Sequence, residues 1–256
     1  MIEMSEAYAS YYDLFYQDKD YGTESVFVAD LLKRYGLPRG GNLLELGSGT
    51  GKHAECLARM GYSVCGVDLS PVMVSSAKLK SVDEVVNQLV FEVGDVRTVR
   101  INQMFDAVVS LFHVASYQTT NTDLMAMFRT AAVHLKKGGI FLFDCWYGPA
   151  VLTNRPEVRV KMMSDSTVDV RRTAVPVMLP NKNVVEVNYS VQVKQKKGGH
   201  LAEFSEKHEI RYLFSPEVEL MLELAGFSQV FRHGWMTEEP TGLDSWAATF
   251  VSVKSS

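Results

Sequence analysis

Cysteine is scarce. The 256 residues hold three, Cys56, Cys65 and Cys145, scattered and without the paired spacing of a metal site or a disulfide framework. They read as packing residues in a reducing cytoplasm. An excess of basic charge is also missing: Lys and Arg number 26 against 30 Asp and Glu, a formal net charge of −4. With no global positive field to gather phosphate backbones, nucleic acid is not an expected partner. No apolar run approaches a membrane span, the most apolar stretches being strand-like ones such as Ile140–Phe143, so no membrane partner is expected. The opening residues Met1–Glu6 are acidic and lack an apolar segment, which argues against a signal peptide and for a cytoplasmic location. No internal repeat, low-complexity tract or acidic or histidine cluster with ligand spacing is visible, so no metal is implied.

What is present is an alternation. Residues 24–35 set Val28, Leu31, Leu32 and Tyr35 on one helical face, and Gly36 with Pro38 ends that helix. Strand-like runs follow at Asn42–Leu46, Ser63–Val67, Leu89–Val93, Phe105–Phe112 and Ile140–Cys145. Between them lie a helical pattern at about residues 52–60 and a helix start at Ser70-Pro71, a hydroxyl cap followed by proline where its missing N–H is harmless. A further stripe of Leu124, Met127, Ala131 and Leu135 is closed by Gly138-Gly139. Strands alternating with helices predict a parallel sheet with crossover connections. After Trp146 the rhythm changes to strand-like runs at Thr167–Ala174, Val184–Lys194 and Leu201–Phe214, the last two joined by the turn Lys196-Lys197-Gly198-Gly199. We read these as a small inserted antiparallel sheet, with Glu186, Lys194, Glu203, Lys207, Glu209 and Arg211 on a solvated face. A helix at Pro216–Ala225 and two final strands, near Gln229–His233 and Trp246–Val253, return the chain to the main sheet as an edge hairpin.

The most informative segment is Leu43-Leu44-Glu45-Leu46-Gly47-Ser48-Gly49-Thr50-Gly51. An apolar strand ends in a loop with glycine at every second position, then an amphipathic stretch carries Ala54, Leu57 and Met60 at helical spacing. Glycine lets the backbone approach a ligand, and the free N–H groups of the helix start favour negative charge. The competing dinucleotide loop reads G-x-G-x-x-G and cradles a pyrophosphate, which a carboxylate two residues before the first glycine would repel. Here the spacing is G-x-G-x-G and Glu45 holds that place, which favours a ligand with an amino group over a nicotinamide dinucleotide.

On these residues the chain resembles the class I S-adenosylmethionine (SAM)-dependent methyltransferases, whose first motif reads like ELGSGTG. The resemblance implies an α/β fold: a Rossmann-like, seven-stranded, mostly parallel sheet with an antiparallel last strand, and here the inserted sheet. It implies residues 1–36 as an N-terminal helical lid, 37–150 and 215–256 as the SAM-binding domain, and 151–214 as the inserted substrate-side sheet. SAM is the implied cofactor and S-adenosylhomocysteine its product. Gly47, Ser48, Gly49 and Gly51 would form the loop, with carbonyls of Gly47 and Leu111 facing the methionyl ammonium and Glu45 reaching it. Asp68, ending strand two, would take the ribose hydroxyls with Leu69 against the adenine; a plain helix cap is the alternative. Asp95 would accept from the adenine amino group, with Val96 on the ring; an ordinary turn aspartate is the bland reading. His53 would cap the helix or touch the carboxylate; a structural helix-start histidine is the alternative. The aromatic amino terminus (Tyr8, Tyr11, Tyr12, Phe15, Tyr16, Tyr21) reads either as a packed amphipathic helix or as a lid. In a lid the phenols would face the sulfonium, an attraction of roughly 0.5–2 kcal/mol. Tyr12-Asp13-Leu14-Phe15-Tyr16 with Lys19-Asp20-Tyr21 is similar to the lid of deoxysugar N-methyltransferases, which implies Tyr12 and Tyr21 near the cofactor.

Methyl transfer needs alignment, exclusion of water and a lone pair on the acceptor. The strand-four edge reads Ser110-Leu111-Phe112-His113-Val114-Ala115-Ser116-Tyr117. It lacks the Asn/Asp/Ser-Pro-Pro-aromatic motif of DNA amino-methylating enzymes. His113 is placed as a general base, Tyr117 to orient the acceptor, and Trp146 and Tyr147 to wall the substrate pocket or pack in the core. His208, in a strand similar to one in the sugar methyltransferases, would face substrate or stand idle in solvent. The resemblance therefore implies methylation of a small polar metabolite, the amine of a nucleotide-linked amino sugar, by a monomer or homodimer. An O-methyltransferase with His113 as base and a non-catalytic SAM-binding protein are the alternatives.

Overall fold

The computed structural model describes residues 5–80 and 88–255. Most of the acidic opening tract (residues 1–4) lies outside them. The strands β1 (Asn42–Leu46), β2 (Ser63–Asp68), β3 (Leu89–Val93), β4 (Phe105–Ser110) and β5 (Leu135–Tyr147) form a parallel sheet in the order β3-β2-β1-β4-β5. The final hairpin, β10 (Phe227–Gly234) and β11 (Ala247–Lys254), docks β11 antiparallel on β5 and leaves β10 outermost. Among the described residues that makes seven strands in the main sheet, as expected of the class.

Strand parity builds the two layers. Leu44 and Leu46 face a core shared with Leu124, Met127 and Phe128 of α6 (Asn121–His134) and Val218 and Leu222 of α8 (Ser215–Leu224). Leu43, one residue out of phase, faces Val28, Leu31 and Leu32 of α3 (Tyr21–Arg34), Ala54 and Leu57 of α4 (Lys52–Arg59), and Val74 and Ala77 of α5 (Pro71–Lys80). The helix after strand four ends earlier than the apolar stripe predicts. Leu135 is already extended (φ −86°, ψ 138°) and pairs with Phe105, so the glycine pair Gly138-Gly139 falls inside β5.

The second sheet is antiparallel in the order β9-β8-β7-β6, from β6 (Arg159–Ser164), β7 (Val168–Leu179), β8 (Val184–Gln195) and β9 (Leu201–Leu213). Its link to the main sheet is short: Trp146 and Tyr147 at the end of β5 pair with Tyr212 and Leu213 of β9. A strand at 159–164 was not among those predicted, and β7 runs past its predicted end through Pro176. Proline is tolerated there because β6 pairs only as far as Ala174 and leaves that edge free. Arg211, expected in solvent, is 5% exposed and donates to Asn121 (2.7 Å) and Glu217 (3.0 Å). The amino terminus breaks into α1 (Glu6–Ser10) and α2 (Tyr12–Phe15). Tyr8 and Phe15 are fully buried against Met163, Val168, Val170, Val191 and Val193 of the second sheet.

Candidate active site

A cavity of about 400 Å³ lies over the carboxyl ends of β1, β2, β4 and β5, closed by α2 and by the second sheet. Gly47 and Gly49 form one wall. All three loop glycines have positive φ (81°, 54° and 80° for Gly47, Gly49 and Gly51). A Cβ on Gly47 would sit 2.5 Å from Val114, and one on Gly51 would sit 2.5 Å from Phe91, so this tight loop admits no side chain at either place. Asp68 faces the cavity and also pins the loop: its carboxylate accepts from Gly49 N–H at 2.8 Å and Ser70 N–H at 2.9 Å. Asp68 therefore both lines the cavity and serves as a local cap. Burial pushes its pKa up, against those two hydrogen bonds.

Leu69, Met73 and Val96 supply apolar wall beside Asp68, and Leu111 continues it at the end of β4. Asp95 does not join them. It chelates Arg97 through its carboxylate at 2.5–3.0 Å, and Arg97 bridges on to Asp123 at 2.8 Å. Glu45 is likewise off the cavity wall. Its parity directs it with Leu43 toward α4, where it meets the Ala54 N–H. One carboxylate oxygen, Oε2, is buried without a partner. Burial, then the nearby Asp68, pushes this carboxyl up to about 8. His53 is buried and bonded to Glu24 at 2.8 Å, with Tyr21 edge-on against its ring at 4.8 Å. Tyr21, His53, Ser48 and Gly51 thus build the loop's support and not the cavity wall.

Tyr12 and Tyr16 do reach the cavity, while their neighbours Tyr8 and Phe15 pack inward, so α2 is both a packed element and a cover. Burial raises the Tyr12 phenol. Asp13 ties this cover to the glycine loop by accepting from Thr50 Oγ1 at 2.7 Å and pairing with Lys80. Behind Tyr16 lies Arg172. Its guanidinium donates to Tyr8 Oη (3.0 Å) and Tyr16 Oη (3.4 Å) and stacks on Phe15, Tyr16 and Tyr189 at 4.9–5.2 Å.

The strand expected to run to Phe112 stops at Ser110, because Phe112 (φ 63°) and His113 (φ 66°) are both left-handed. Phe112 and His113 line the cavity. The His113 backbone N–H donates to both oxygens of Asp144 at 3.1 and 3.2 Å, and its Nδ1 lies 2.6 Å from Asp144 Oδ2, off the line of the ring N–H. Tyr117 lines the cavity and bonds through its hydroxyl to His208 Nδ1 at 2.9 Å. His208 itself is 4% exposed among Tyr8, Tyr117 and Tyr189, so it stands neither in solvent nor on the cavity wall. Burial lowers its pKa to about 4, which keeps it neutral. Trp146 lines the cavity but Tyr147 does not; successive strand residues face opposite sides, and Tyr147 packs in the core beside Ser215.

Sequence reasoning missed Asp144, Phe112, Arg159, Arg172 and Tyr189. Asp144 had a legible signal, a lone acid in the apolar run Ile140-Phe141-Leu142-Phe143-Asp144-Cys145-Trp146, in phase with Trp146. Phe112 stands in the strand-four edge beside His113 and reads there only as strand, whereas Arg159, Arg172 and Tyr189 depend on how the second sheet folds over the first.

This architecture, with a ligand cavity at the carboxyl ends of a parallel sheet over a glycine loop and an acid ending the second strand, is that of class I methyltransferases. The lining is of the kinds SAM would need: apolar wall (Leu69, Met73, Val96), an acid (Asp68) and aromatic faces (Tyr12, Tyr16). Residues 43–139 match the methyltransferase domain family. The chain is 30% identical over 229 residues, 89% of this chain and 92% of the relative, to the dTDP-3-amino-3,4,6-trideoxy-α-D-glucopyranose N,N-dimethyltransferase of Streptomyces venezuelae. The crystal structure of DesVI from Streptomyces venezuelae superposes with a TM-score of 0.79 at 27% identity, covering 99% of this chain and 100% of that one. The sugar N-methyltransferase KedS8 from Streptoalloteichus has the same fold, with a TM-score of 0.80 at 22% identity over 96% of this chain and 93% of its own. The chain belongs to the SAM-dependent methyltransferases and is an enzyme of that kind. Among the described residues no helix is long and apolar enough to cross a membrane.

Proposed function

We propose that the enzyme methylates the amine of a nucleotide-linked amino sugar. The observation that carries this is the 30% identity over nearly the full length with an enzyme named for that substrate class. The far end of the cavity supports it. Arg159, at the start of β6, lines the cavity and has no ion-pair partner among the described residues, a disposition suited to a phosphate group. Of the two ends, the glycine loop, Asp68, Leu69 and Val96 hold the cofactor, and Trp146, Tyr189, Ile210 and Arg159 hold the acceptor. The N-terminal segment 1–36 acts as the lid, 37–150 with 215–256 as the cofactor domain, and 151–214 as the substrate-side sheet.

Bound SAM supplies an electrophilic methyl group. The chain's own work is to orient an acceptor against it, exclude water with Tyr12 and Tyr16, and take up the acceptor's proton. His113 is the group placed for that proton, with Tyr117 orienting the acceptor through a hydroxyl fixed by His208. Of the site residues expected from sequence, Glu45, Ser48, Gly51, His53, Tyr21 and Asp95 act by supporting the loop and the rim.

The His113–Asp144 pairing favours a second reading, O-methylation of a sugar hydroxyl, because a hydroxyl needs a base where a neutral amine needs only a proton sink. The test is to incubate the enzyme with SAM and dTDP-3-amino-3,4,6-trideoxy-α-D-glucopyranose, or with the same sugar bearing a hydroxyl for the amine. S-adenosylhomocysteine release and product mass are then followed. Methylation of the amine supports the proposal. Methylation of the hydroxyl compound alone supports the second reading, and turnover of neither refutes both.

A further inference from the structure

We propose that Asp144 is a positioning residue. It holds His113 in a strained backbone conformation and in the tautomer that leaves Nε2 as the free base facing the cavity. This inference rests on His113 being the proton acceptor.

Four observations converge. Phe112 and His113 are consecutive non-glycine residues at positive φ, a conformation that a side chain disfavours and that persists only where surroundings enforce it. The enforcing contact is Asp144, whose two oxygens accept the His113 backbone N–H at 3.1 and 3.2 Å. The same carboxylate meets the side chain, with Nδ1 at 2.6 Å from Oδ2. Finally, Asp144 is fully buried on β5, whereas the His113 side chain keeps 23% exposure and lines the cavity. Among the described residues Nδ1 makes no in-line hydrogen bond, and the Asp144 carboxylate at 2.6 Å is its ion-pair neighbour, so Nε2 is the nitrogen left for a ligand.

The chemistry follows from the two nitrogens. A carboxylate is acceptor-only and therefore selects a proton on Nδ1, leaving the Nε2 lone pair outward. When the acceptor's N–H or O–H bond breaks, its proton forms the Nε2–H bond, and Asp144 stabilises the resulting imidazolium without itself being protonated. An asparagine in its place presents an NH₂ donor to Nδ1, which selects the opposite tautomer and blocks the base. The loss seen with the analogous Asp→Asn change in serine proteases illustrates the size such a tautomer error can reach. The same carboxylate also decides where the ring sits, because it anchors the backbone N–H of the residue that carries the ring. Asp144 thus acts through His113 and need not touch either substrate.

The test has an acceptor-free arm and a kinetic arm. Two-bond ¹⁵N–¹H spectra of the neutral imidazoles in the wild-type protein should show His113 protonated at Nδ1, its signal identified by its loss in His113→Ala. In Asp144→Asn the pattern should invert to the Nε2–H form. Finding Nε2–H in the wild type overturns the proposal, and this holds even if the Asp144→Asn variant does not fold. In the kinetic arm, with SAM and dTDP-3-amino-3,4,6-trideoxy-α-D-glucopyranose, Asp144→Asn should lower kcat as far as His113→Ala does. The double variant should be no worse than either single one, the non-additivity of residues that act as a unit. SAM affinity by calorimetry should stay within about threefold of wild type. A damaged His113→Ala beside an Asp144→Asn of wild-type kcat overturns the positioning role. An undamaged His113→Ala, with the Nδ1–H tautomer still seen, refutes the base assignment and leaves the structural clamp standing.

Discussion

Replacing Asp68 with alanine removes one carboxylate that serves two neighbours at once. On the loop side, Gly49 N–H and Ser70 N–H lose their acceptor. An unsatisfied buried donor costs about 1–3 kcal/mol, but both lie beside a cavity where water can enter, and removing a carboxylate that burial already disfavours offsets part of the loss. A net destabilisation of about 1–2 kcal/mol follows. On the ligand side, the proposed cofactor role has two hydroxyls bonded to this carboxylate, worth about 1.5–3 kcal/mol each. Their loss weakens SAM by at least about 3 kcal/mol, roughly a hundredfold in Kd. Calorimetric titration with SAM, S-adenosylhomocysteine and NADH measures this, with a thermal melt in parallel. Asp68→Asn separates the two roles, since the amide oxygen still accepts from Gly49 while its charge is gone. The expected order of SAM affinity is wild type, then Asn, then Ala, with both adenosyl compounds affected together and NADH not bound. A folded Asp68→Ala protein that binds SAM within about threefold of wild type would refute the reasoning.

Glu45 makes stability depend on pH with a defined sign. Its folded value is raised from 4.5 to about 8, so the folded state holds the extra proton. The associated stability is present below about pH 4.5 and lost as pH rises through about 8. Glu45→Gln should remove that slope and raise stability at alkaline pH by on the order of 2–4 kcal/mol, read from denaturant midpoints across this range; an unchanged slope contradicts it. Gly51→Ala forces a Cβ to 2.5 Å from Phe91 at φ +80° and should destabilise by about 2–4 kcal/mol, with a thermal melt indistinguishable from wild type as the contrary result. Asp13→Ala releases the partly exposed tie from α2 to Thr50 and Lys80. It should change global stability by less than about 1 kcal/mol while speeding hydrogen exchange in α1 and α2; unchanged exchange there would show that the tie does not hold the cover.

The sequence by itself determined the sheet, the loop and the cofactor class. Those signals are local: apolar periodicity places β1 at Asn42–Leu46 and β3 at Leu89–Val93 with the bounds the structure shows, and positive φ at alternate positions restricts a tight loop to glycine. Strand parity was legible too and, applied to β5, separates Trp146 from Tyr147 and pairs Asp144 with Trp146. What only the tertiary structure decided was which polar groups meet. Asp95 was taken by Arg97, two residues on, whose guanidinium lies within reach and binds both oxygens of its carboxylate. His208 became a neutral strut under Tyr117 because α1 folds over β9 and shuts out water. Arg172 and Arg159 gained their meaning from the second sheet, which hangs from the main one by two residue pairs yet brings Arg159, Tyr189 and Ile210 to the cavity wall. A side chain's period is written along the chain, but its partner is chosen by elements far away in sequence, and burial then fixes its charge.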